Sequence, residues 1–424
     1  MFIQSLQLIN FRSVASLKII LDERLNVFVG MNGAGKSTIL DATAILLSWF
    51  ANRIKTAGAS GRTIKESDIQ SNTLSAALSA TLKNNSETLQ LGVAKTKPGA
   101  LRKNSIDLSS LNEKIKILQT QFAEGNGKIN LPLLVYYPVH RAVLDIPLRI
   151  RGRHSFSILE TYDESLTSGA NFRTFFEWFR NQEDIENENR KYINALIQPD
   201  DFAFPDKQLD AVRKALSAFM PNFTNWTVRR RPLQMEVEKD GQTLNVNQLS
   251  DGEKCLMAMV GDIARRMAIA NPLRDNPLDG DGIILIDEVD LHLHPRWQQM
   301  MIPRLLETFP NCQFLISTHS PHVLTHIQPK NIFILSTEDG KFIYEHPQES
   351  YGKTSERILE DLMGLETTRP TKVAEDLKTL FVHINNSELE QAKKDIELLR
   401  QKIGADPELV KAGILIKRKE LIGK

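Results

Sequence analysis

The sequence has few cysteines and no long apolar segment, and each scarcity excludes a class of protein. Its 424 residues include two cysteines, Cys255 and Cys312, too few for a disulfide framework or a zinc site. We expect both to be small buried apolar side chains. No apolar run reaches the roughly 18 residues that a bilayer span requires, so we predict no membrane partner.

The chain also lacks an excess of charge of either sign. Lys plus Arg number 53 and Asp plus Glu number 52, which leaves a formal net charge of +1. This balance gives no global sign of nucleic-acid binding, although local basic patches stay open. Because the N-terminus starts on strand-like sequence without a signal-peptide pattern, we expect a soluble cytoplasmic protein.

A glycine-rich segment at 30–38 (GMNGAGKST) fits the phosphate-loop pattern G-x-x-x-x-G-K-[ST]. It follows an apolar strand at 25–29 and opens a helical stretch at 37–50, which is the context that this motif requires. Glycines let backbone N–H groups wrap phosphates, and the helix N-terminus adds its dipole. Lys36 would reach the outer phosphates, and the Ser37 hydroxyl would ligate Mg²⁺. The predicted ATP contacts are Asn32, Gly33, Ala34, Gly35, Lys36, Ser37 and Thr38.

An Asp-Glu pair ends a second apolar strand, which covers residues 283–286. Asp287 suits a direct or water-mediated contact with Mg²⁺. A carboxylate at Glu288 can orient or deprotonate the attacking water, so we predict that Glu288 is the catalytic base. The alternative, a carboxylate that only caps the next element, stays open.

Residues 249–253 (LSDGE) resemble the signature motif of the ABC ATPase superfamily. In that superfamily the Ser hydroxyl and the Gly backbone of one subunit meet the γ-phosphate held by the other. The resemblance implies these roles for Ser250 and Gly252. Because Ser250 with Glu253 also fits a capping box, a simple helix cap is the alternative.

Histidines cluster after the acidic pair and after the next apolar strand. His319, in LISTHSP, stands at the switch-histidine position of the same superfamily, where the ring approaches the γ-phosphate. A core histidine is the alternative. His292 and His294 (DLHLHP) stand at the D-loop position, which in the superfamily contacts the partner subunit. Their spacing would also permit a metal site, which we disfavour.

The predicted elements alternate strand and helix, as in an α/β protein with a mostly parallel sheet. We predict an ABC-type ATPase head with a mostly parallel P-loop sheet, an antiparallel β subdomain, a helical insertion and a helical C-terminal tail. The predicted divisions are an N-terminal ATPase lobe with Walker A (1–155), a helical insertion (156–225), a C-terminal ATPase lobe with signature, Walker B and switch histidine (226–350), and a helical tail for partner or oligomer contacts (351–424). In the insertion, Phe172, Phe175, Phe176 and Phe179 fall near one helix face, which predicts a core face.

The opening segment LINFRS (8–13) resembles that of SMC, RecF and OLD-type ATPases. In those proteins the arginine lies close to the nucleotide phosphates, which the resemblance implies for Arg12. Roughly 210 residues separate Walker A from the signature, and SMC-like proteins place a coiled coil or arm there. The usual Q-loop glutamine is missing, which leaves His140, Arg141 or a structural turn as alternatives.

The whole pattern resembles the PtuA ATPases of Septu-type antiphage defence systems, including versions attached to retrons. The matching segments are DEVDLHLHP, THSPH, SYG (350–352) and DPELVKA (406–412). This family implies an ATP-hydrolysing homodimer or larger assembly that holds an HNH-type nuclease in trans. DNA, tRNA or a retron nucleic acid stay open as further partners, as do the trigger and the subunit count.

The runner-up function is a RecF-like DNA-binding repair ATPase without a dedicated nuclease partner. The basic residues that would contact phosphates are Arg149, Arg151, Arg153, Arg229, Arg230 and Arg231. Solvated or ion-paired arginines are the alternative. An ABC transporter ATPase is a third possibility, which the insertion and the LINFRS opening disfavour.

Overall fold

The computed structural model describes residues 1–84, 87–100, 107–139, 156–193, 202, 204–338 and 341–422. They form two compact units, Met1–Lys353 and Thr354–Lys424. Several predicted residues lie outside the described residues: His140, Arg141, Arg149, Arg151 and Arg153. The four divisions proposed from the sequence stay a prediction.

The strands of the larger unit are β1 (Phe2–Phe11), β2 (Val14–Ile20), β3 (Leu25–Val29), β4 (Ser75–Asn84), β5 (Glu87–Thr96), β6 (Leu133–Tyr137), β7 (Phe223–Arg230), β8 (Leu233–Lys239), β9 (Gln242–Asn245), β10 (Gly282–Ile286), β11 (Cys312–Ser317), β12 (Ile332–Glu338) and β13 (Lys341–Glu345). Its helices are α1 (Lys36–Lys55), α2 (Ser109–Glu124), α3 (Phe172–Asn189), α4 (Lys207–Phe219), α5 (Asp251–Ala270), α6 (Pro295–Thr308) and the single turn α7 (Pro321–Leu324).

The central sheet of the described chain has the strand order β13-β12-β3-β11-β10-β6. All neighbouring strands are parallel except β13, which pairs antiparallel with β12. Every residue of β3, β6, β10 and β11 is buried. Fully buried parallel strands read as continuous apolar runs, which explains why the sequence marked these four. The carboxyl ends of β3, β11 and β10 therefore meet at one edge of the sheet.

Two antiparallel sheets complete the larger unit, with strand orders β2-β1-β4-β5 and β7-β8-β9 in the described residues. Buried and partly exposed residues alternate along β4, as expected for a sheet with one covered face. Gln313 of β11 joins the first of these sheets to the central one. Its side chain accepts a hydrogen bond from the Ile3 N–H at 2.8 Å and donates one to the Ile3 carbonyl at 2.9 Å.

Helix α5 is buried along most of its length and packs against α3 and α4. The aromatic face of α3 is part of this core, because Phe172, Phe175, Phe176 and Phe179 are each at most 1% exposed. The predicted core face is thus confirmed. Of the two cysteines, Cys312 is buried as expected, whereas Cys255 is partly exposed near the start of α5.

The smaller unit consists of helices in the described residues: α8 (Ser355–Asp361), α9 (Thr371–Asn385), α10 (Leu389–Ile403) and α11 (Pro407–Ile422). Leu380, Leu399 and Leu409 form part of its own apolar core. Arg369 pairs with Asp406 at 2.7 Å and holds the segment before α9 to the start of α11. No described helix is both long and apolar enough to span a bilayer. The predicted class is confirmed: an α/β head with a mostly parallel P-loop sheet, antiparallel sheets and added helices.

Candidate nucleotide-binding site

The phosphate loop lies between β3 and α1, and its conformation depends on glycine. Gly33 and Gly35 have φ angles of +84° and +89°, in the left-handed region. A Cβ on Gly35 would lie 2.7 Å from the Phe342 ring of β13. Asn32 and Gly33 are exposed at the loop tip, whereas Ala34 and Gly35 are buried at its base. Ser37 is exposed and Thr38 partly exposed in the first turn of α1.

Lys36 begins α1 and turns its side chain back over the loop. Its ammonium donates hydrogen bonds to the carbonyls of Gly30 at 2.9 Å and Met31 at 3.1 Å. Burial lowers the pKa of Lys36, although the charges of Asp287, Glu288 and Asp290 act in the opposite direction. Lys36 therefore lies within electrostatic reach of the carboxylates that follow β10.

Asp287 and Glu288 follow β10 and are both held by Ser317, the last residue of the neighbouring β11. The Ser317 hydroxyl donates to the Asp287 carboxylate, and it accepts a hydrogen bond from the Glu288 N–H at 2.8 Å. Asp287 is 2% exposed, while Glu288 is partly exposed. Glu288 has φ +47°, a left-handed conformation that is uncommon outside glycine.

His319 is brought to the same edge of the sheet by the loop after β11. Asp290 accepts hydrogen bonds from the Thr318 hydroxyl at 2.6 Å and from the His319 N–H at 3.4 Å. The His319 ring is partly exposed, which does not fit the alternative of a core histidine. The structure thus groups Lys36, Asp287, Glu288 and His319 around the carboxyl ends of β3, β10 and β11.

Arg12 lies beside this group and is held by carboxylates. Its guanidinium pairs with Asp41 of α1 and donates to Asp68 at 3.0 Å. Arg62 binds the other oxygen of Asp41 at 2.6 Å. Burial opposes the charged guanidinium, but Asp41 and Asp68 outweigh it and raise the pKa of Arg12. A contact between Arg12 and the nucleotide phosphates stays a prediction.

Tyr136, near the end of β6, lies within electrostatic reach of both the Arg12 cluster and Asp287. Burial, and after it the charge of Asp287, raises the pKa of Tyr136 far above its ordinary value. Asp41 adds to this rise and Arg12 opposes it, so all three charges act on one phenol. The phenol therefore stays protonated and available as a hydrogen-bond donor at neutral pH.

The signature residues form a separate cluster at the start of α5. Ser250 caps the helix: its backbone N–H and its hydroxyl donate to Glu253 at 2.8 and 2.9 Å. Lys239 binds the other oxygen of Glu253 at 2.6 Å. The capping box read from the sequence is thus present, and Ser250 is still exposed.

Gly252 packs against the D-loop of its own chain. A Cβ at this position would lie 2.4 Å from the His292 carbonyl oxygen, so no larger residue fits without movement. His292 itself has φ +62°. Beside this contact lies a cavity of about 490 Å³ whose wall includes Ser250, Gly252 and His292. Within the described ranges, no three His, Cys, Asp or Glu side chains form a metal site, and His294 lines the same cavity.

The oxygen donors at the sheet edge suit a hard divalent cation. Asp287 offers a carboxylate that Ser317 orients, and Ser37 offers an exposed hydroxyl in the first turn of α1. The residues present therefore fit Mg²⁺.

Sequence reasoning missed the residues that position the site, namely Asp41, Asp68, Asp290, Ser317 and Phe342. Ser317 lies two residues before His319, and Asp290 lies three residues after Asp287. This closeness in sequence could have identified both residues. Phe342 gave none, because β13 was not predicted.

Comparison with known proteins identifies a family for this chain. The AAA_21 family model, described as "AAA domain, putative AbiEii toxin, Type IV TA system", matches residues 25–325. The chain is 32% identical to the Retron Ec83 probable ATPase of Escherichia coli, an alignment covering 96% of this chain and 84% of that protein. It is 30% identical to the Retron Vc95 probable ATPase of Vibrio cholerae, covering 84% of this chain and 78% of that protein.

A shorter stretch is similar to the Septu protein PtuA of Bacillus thuringiensis, 42% identical over 22% of this chain and 24% of that protein. Among solved structures, an SMC head domain from Thermotoga maritima matches 82% of this chain and 100% of that chain, with 18% identity and a TM-score of 0.43. The family match and the two retron relatives cover most of the chain. The chain therefore belongs to the AAA_21 family of P-loop ATPases, among the PtuA-like ATPases of retron and Septu defence systems.

Proposed function

We propose that this ATPase is the regulatory and scaffold subunit of an antiphage defence system, closing as a head-to-tail dimer on ATP to control a partner HNH-type nuclease. The observation that carries the proposal is the separation of two half-sites. Lys36, Asp287, Glu288 and His319 converge at the sheet edge, while Ser250 stands exposed in a second cluster beside the D-loop.

A second copy of the chain would complete the site. The start of α5 is the positive dipole end of a long helix, which is a surface suited to an anion. Ser250 already uses its hydroxyl to donate to Glu253, so its oxygen position is fixed before any nucleotide arrives. If the P-loop of one subunit faces this helix end of another, the γ-phosphate lies between two helix N-termini.

The chemistry within one chain then has defined parts. Lys36 would leave the Gly30 and Met31 carbonyls and move to the outer phosphates. Glu288 would accept the proton of the attacking water, and the Ser317 hydrogen bond to its backbone N–H would keep it in place. His319 would complete the wall around the γ-phosphate. When bound at Ser37 and Asp287, Mg²⁺ would neutralise developing phosphate charge.

The nuclease contact is proposed for the helical tail. On α11, Val410, Ile414 and Leu421 are 57%, 63% and 77% exposed. Their spacing of four and seven residues places them along one helix face. An exposed apolar stripe of this kind supports a partner-binding role in the cytoplasm, where the proposed defence complex would act.

The described basic residues give less support to a RecF-like DNA clamp. Arg230 pairs with Glu183 and Asp184, and Arg229 pairs with Glu236 at 3.4 Å. These ion pairs match the alternative of structural arginines. We therefore do not propose DNA as the main partner.

The test compares the wild type with Glu288→Gln and Lys36→Ala, each produced with an affinity tag in the native host, where the co-purifying proteins are identified and assayed for an HNH-type nuclease. Glu288→Gln with ATP should give a stable dimer of the ATPase that retains the nuclease, with turnover reduced at least a hundredfold. Lys36→Ala should not dimerise with ATP. A wild-type monomer with full turnover would exclude the composite site, and an ATPase recovered without nuclease would exclude the scaffold role.

A further inference from the structure

The tip of the phosphate loop carries a large apolar side chain that points into solvent. Met31 is 80% exposed, whereas Ala34, Gly35 and Lys36, which follow it in the loop, are buried. Its backbone is held by a turn within the loop, because its carbonyl accepts a hydrogen bond from the Ala34 N–H at 3.1 Å, a contact that does not depend on Lys36. A single exposed apolar residue is ordinary on a protein surface. One held at the tip of a catalytic loop is in a position to contact another molecule.

The cavity beside the signature offers a matching surface. Its volume of about 490 Å³ is large enough for several side chains, and Met220, Phe223, Trp297 and Met300 contribute apolar lining. These residues come from the end of α4, the start of β7 and the first turns of α6. Ser250 and Gly252 stand on the same wall, so the cavity opens beside the motif that the other half-site would meet.

The proposed head-to-tail dimer brings these two features together. If the P-loop of one subunit faces Ser250 of another, then the residue at the loop tip faces whatever adjoins Ser250. In this chain the cavity adjoins Ser250. The occupant expected there is a second copy of the same loop.

We propose that Met31 of one subunit enters the signature cavity of the partner subunit and packs against the partner subunit's Trp297 and Met300. The inference rests on the proposed function and adds a specific contact to it. The flexible thioether of methionine adapts to irregular cavities and makes favourable contacts with aromatic rings.

Charge is also compatible with this contact. Two charged residues of the cavity wall, Lys239 and Glu253, pair with each other at 2.6 Å, and a third, Arg296, also lines the cavity. The loop tip, Met31-Asn32-Gly33, carries no charged side chain. Docking the uncharged tip therefore places no like charge beside Arg296 and leaves the Lys239–Glu253 pair intact. The Asn32 amide adds donors and acceptors at the polar rim beside Ser250.

The test is a disulfide between subunits. The parent carries Glu288→Gln and Cys255→Ala, which leaves only the buried Cys312. The test pair adds Met31→Cys and Met300→Cys. The matched control replaces Met300→Cys by Glu307→Cys, seven residues further along α6 and therefore about 10 Å away. Dimer mass in solution is measured in parallel, under reducing conditions.

With ATP and mild oxidant, the test pair should form an intersubunit disulfide in at least ten times the yield of the control pair or of either single cysteine. A dimer that forms with ATP while the two pairs give equal yields would overturn the inference and leave the proposed function standing. Absence of an ATP-dependent dimer in the reduced parent would overturn both.

A second measurement tests the apolar contact itself, without a cross-link. Met31→Leu should retain the dimer, whereas Met31→Glu should weaken dimerisation at least tenfold. Trp297→Ala should weaken it as well, and combining Trp297→Ala with Met31→Glu should add little further loss, because both remove one contact. Fully additive losses would count against the contact.

Discussion

The Ser317 hydroxyl donates to the carboxylate of Asp287 and accepts from the N–H of Glu288, so one side chain of β11 fixes both acidic residues at the end of β10. The two strands are parallel neighbours, with Ile286 paired to Ile316. A single hydroxyl group therefore orients both Asp287, the proposed metal ligand, and Glu288, the proposed base.

Ser317→Ala should therefore slow ATP turnover about tenfold while ATP binding is retained. Removing one partner of a buried hydrogen bond costs about 1–3 kcal/mol, and about 1.4 kcal/mol corresponds to a factor of ten in rate. The measurement is steady-state phosphate release together with ATP affinity under conditions without turnover.

The matched control is Ser79→Ala on β4, a partly exposed serine in an antiparallel sheet away from the carboxylates. It should change turnover less than twofold. Equal effects of the two substitutions, or a loss of ATP binding in Ser317→Ala, would contradict the role given to Ser317.

Gly252→Ala tests the packing of the signature helix on the D-loop. The added Cβ would meet the His292 carbonyl oxygen at 2.4 Å, a backbone atom that cannot rotate away. We expect the D-loop to shift and ATP-dependent dimerisation to weaken at least tenfold, since the D-loop and the signature lie on the same proposed interface. Dimer mass against protein concentration measures this effect.

Gly413→Ala in α11 is the control, because a Cβ there meets nothing within 4 Å and the residue is helical. That substitution should leave dimerisation unchanged and stabilise the helix by up to about 1 kcal/mol. If Gly252→Ala dimerised as the control does, the packing of Gly252 on the His292 carbonyl would not be needed for dimerisation.

The sequence located the candidate site because its residues are concentrated in short segments. Walker A, the Asp-Glu pair and His319 each follow an apolar strand, and parallel strands bring such segments to one edge. The fully buried strands β3, β6, β10 and β11 were found for the same reason: continuous apolar runs bounded by polar residues.

The contacts that position the site residues join segments far apart in the chain, so they leave no local pattern in the sequence. Asp68 lies 56 residues from Arg12, and Asp41 lies 29 residues away. Strand β13 has exposed and partly exposed positions around Phe342, so its pattern is that of a weak edge strand. Its contact with Gly35 depends on tertiary packing, which no window of sequence contains. The same holds for Gly252, whose small size is required by the distant His292.

Arg12→Ala separates a structural role from a phosphate contact. Loss of the guanidinium leaves Asp68 without this partner and leaves Asp41 with Arg62. We expect the melting temperature without nucleotide to fall by about 2–4 °C, the shift that roughly 1 kcal/mol produces in a larger domain. Arg12→Lys should recover part of this loss, because lysine keeps the charge but not the fork that reaches both carboxylates.

Differential scanning fluorimetry and ATP titration give the two readouts. A weaker ATP affinity with an unchanged melting temperature would instead assign Arg12 to the nucleotide and contradict the structural role.

Asp262 anchors a buried polar group that links α5 to β6. Its carboxylate accepts hydrogen bonds from Arg265 at 2.7 Å, from Arg266 at 2.8 Å and from the Tyr137 hydroxyl at 2.9 Å. Asp262→Asn would leave two buried guanidinium groups without their counter-charge, so we expect a loss of about 3–5 kcal/mol in the free energy of unfolding. Asp210→Asn, which removes an exposed pair with Lys214, should cost at most about 1 kcal/mol.

The loss in the free energy of unfolding caused by Asp262→Asn should be smaller at low pH than at neutral pH. Burial alone would raise the pKa of Asp262, but the charges of Arg266 and Arg265 outweigh it and lower the pKa. A lowered carboxyl pKa contributes stability that is fully present above the unfolded value of about 3.9 and is lost as the pH falls below it. The stabilities of the wild type and Asp262→Asn in urea unfolding should therefore differ most near pH 7, and the difference should shrink as the pH falls from about 4 through the lowered pKa of Asp262. A constant difference across that range would mean that the carboxylate charge does not hold α5 to β6.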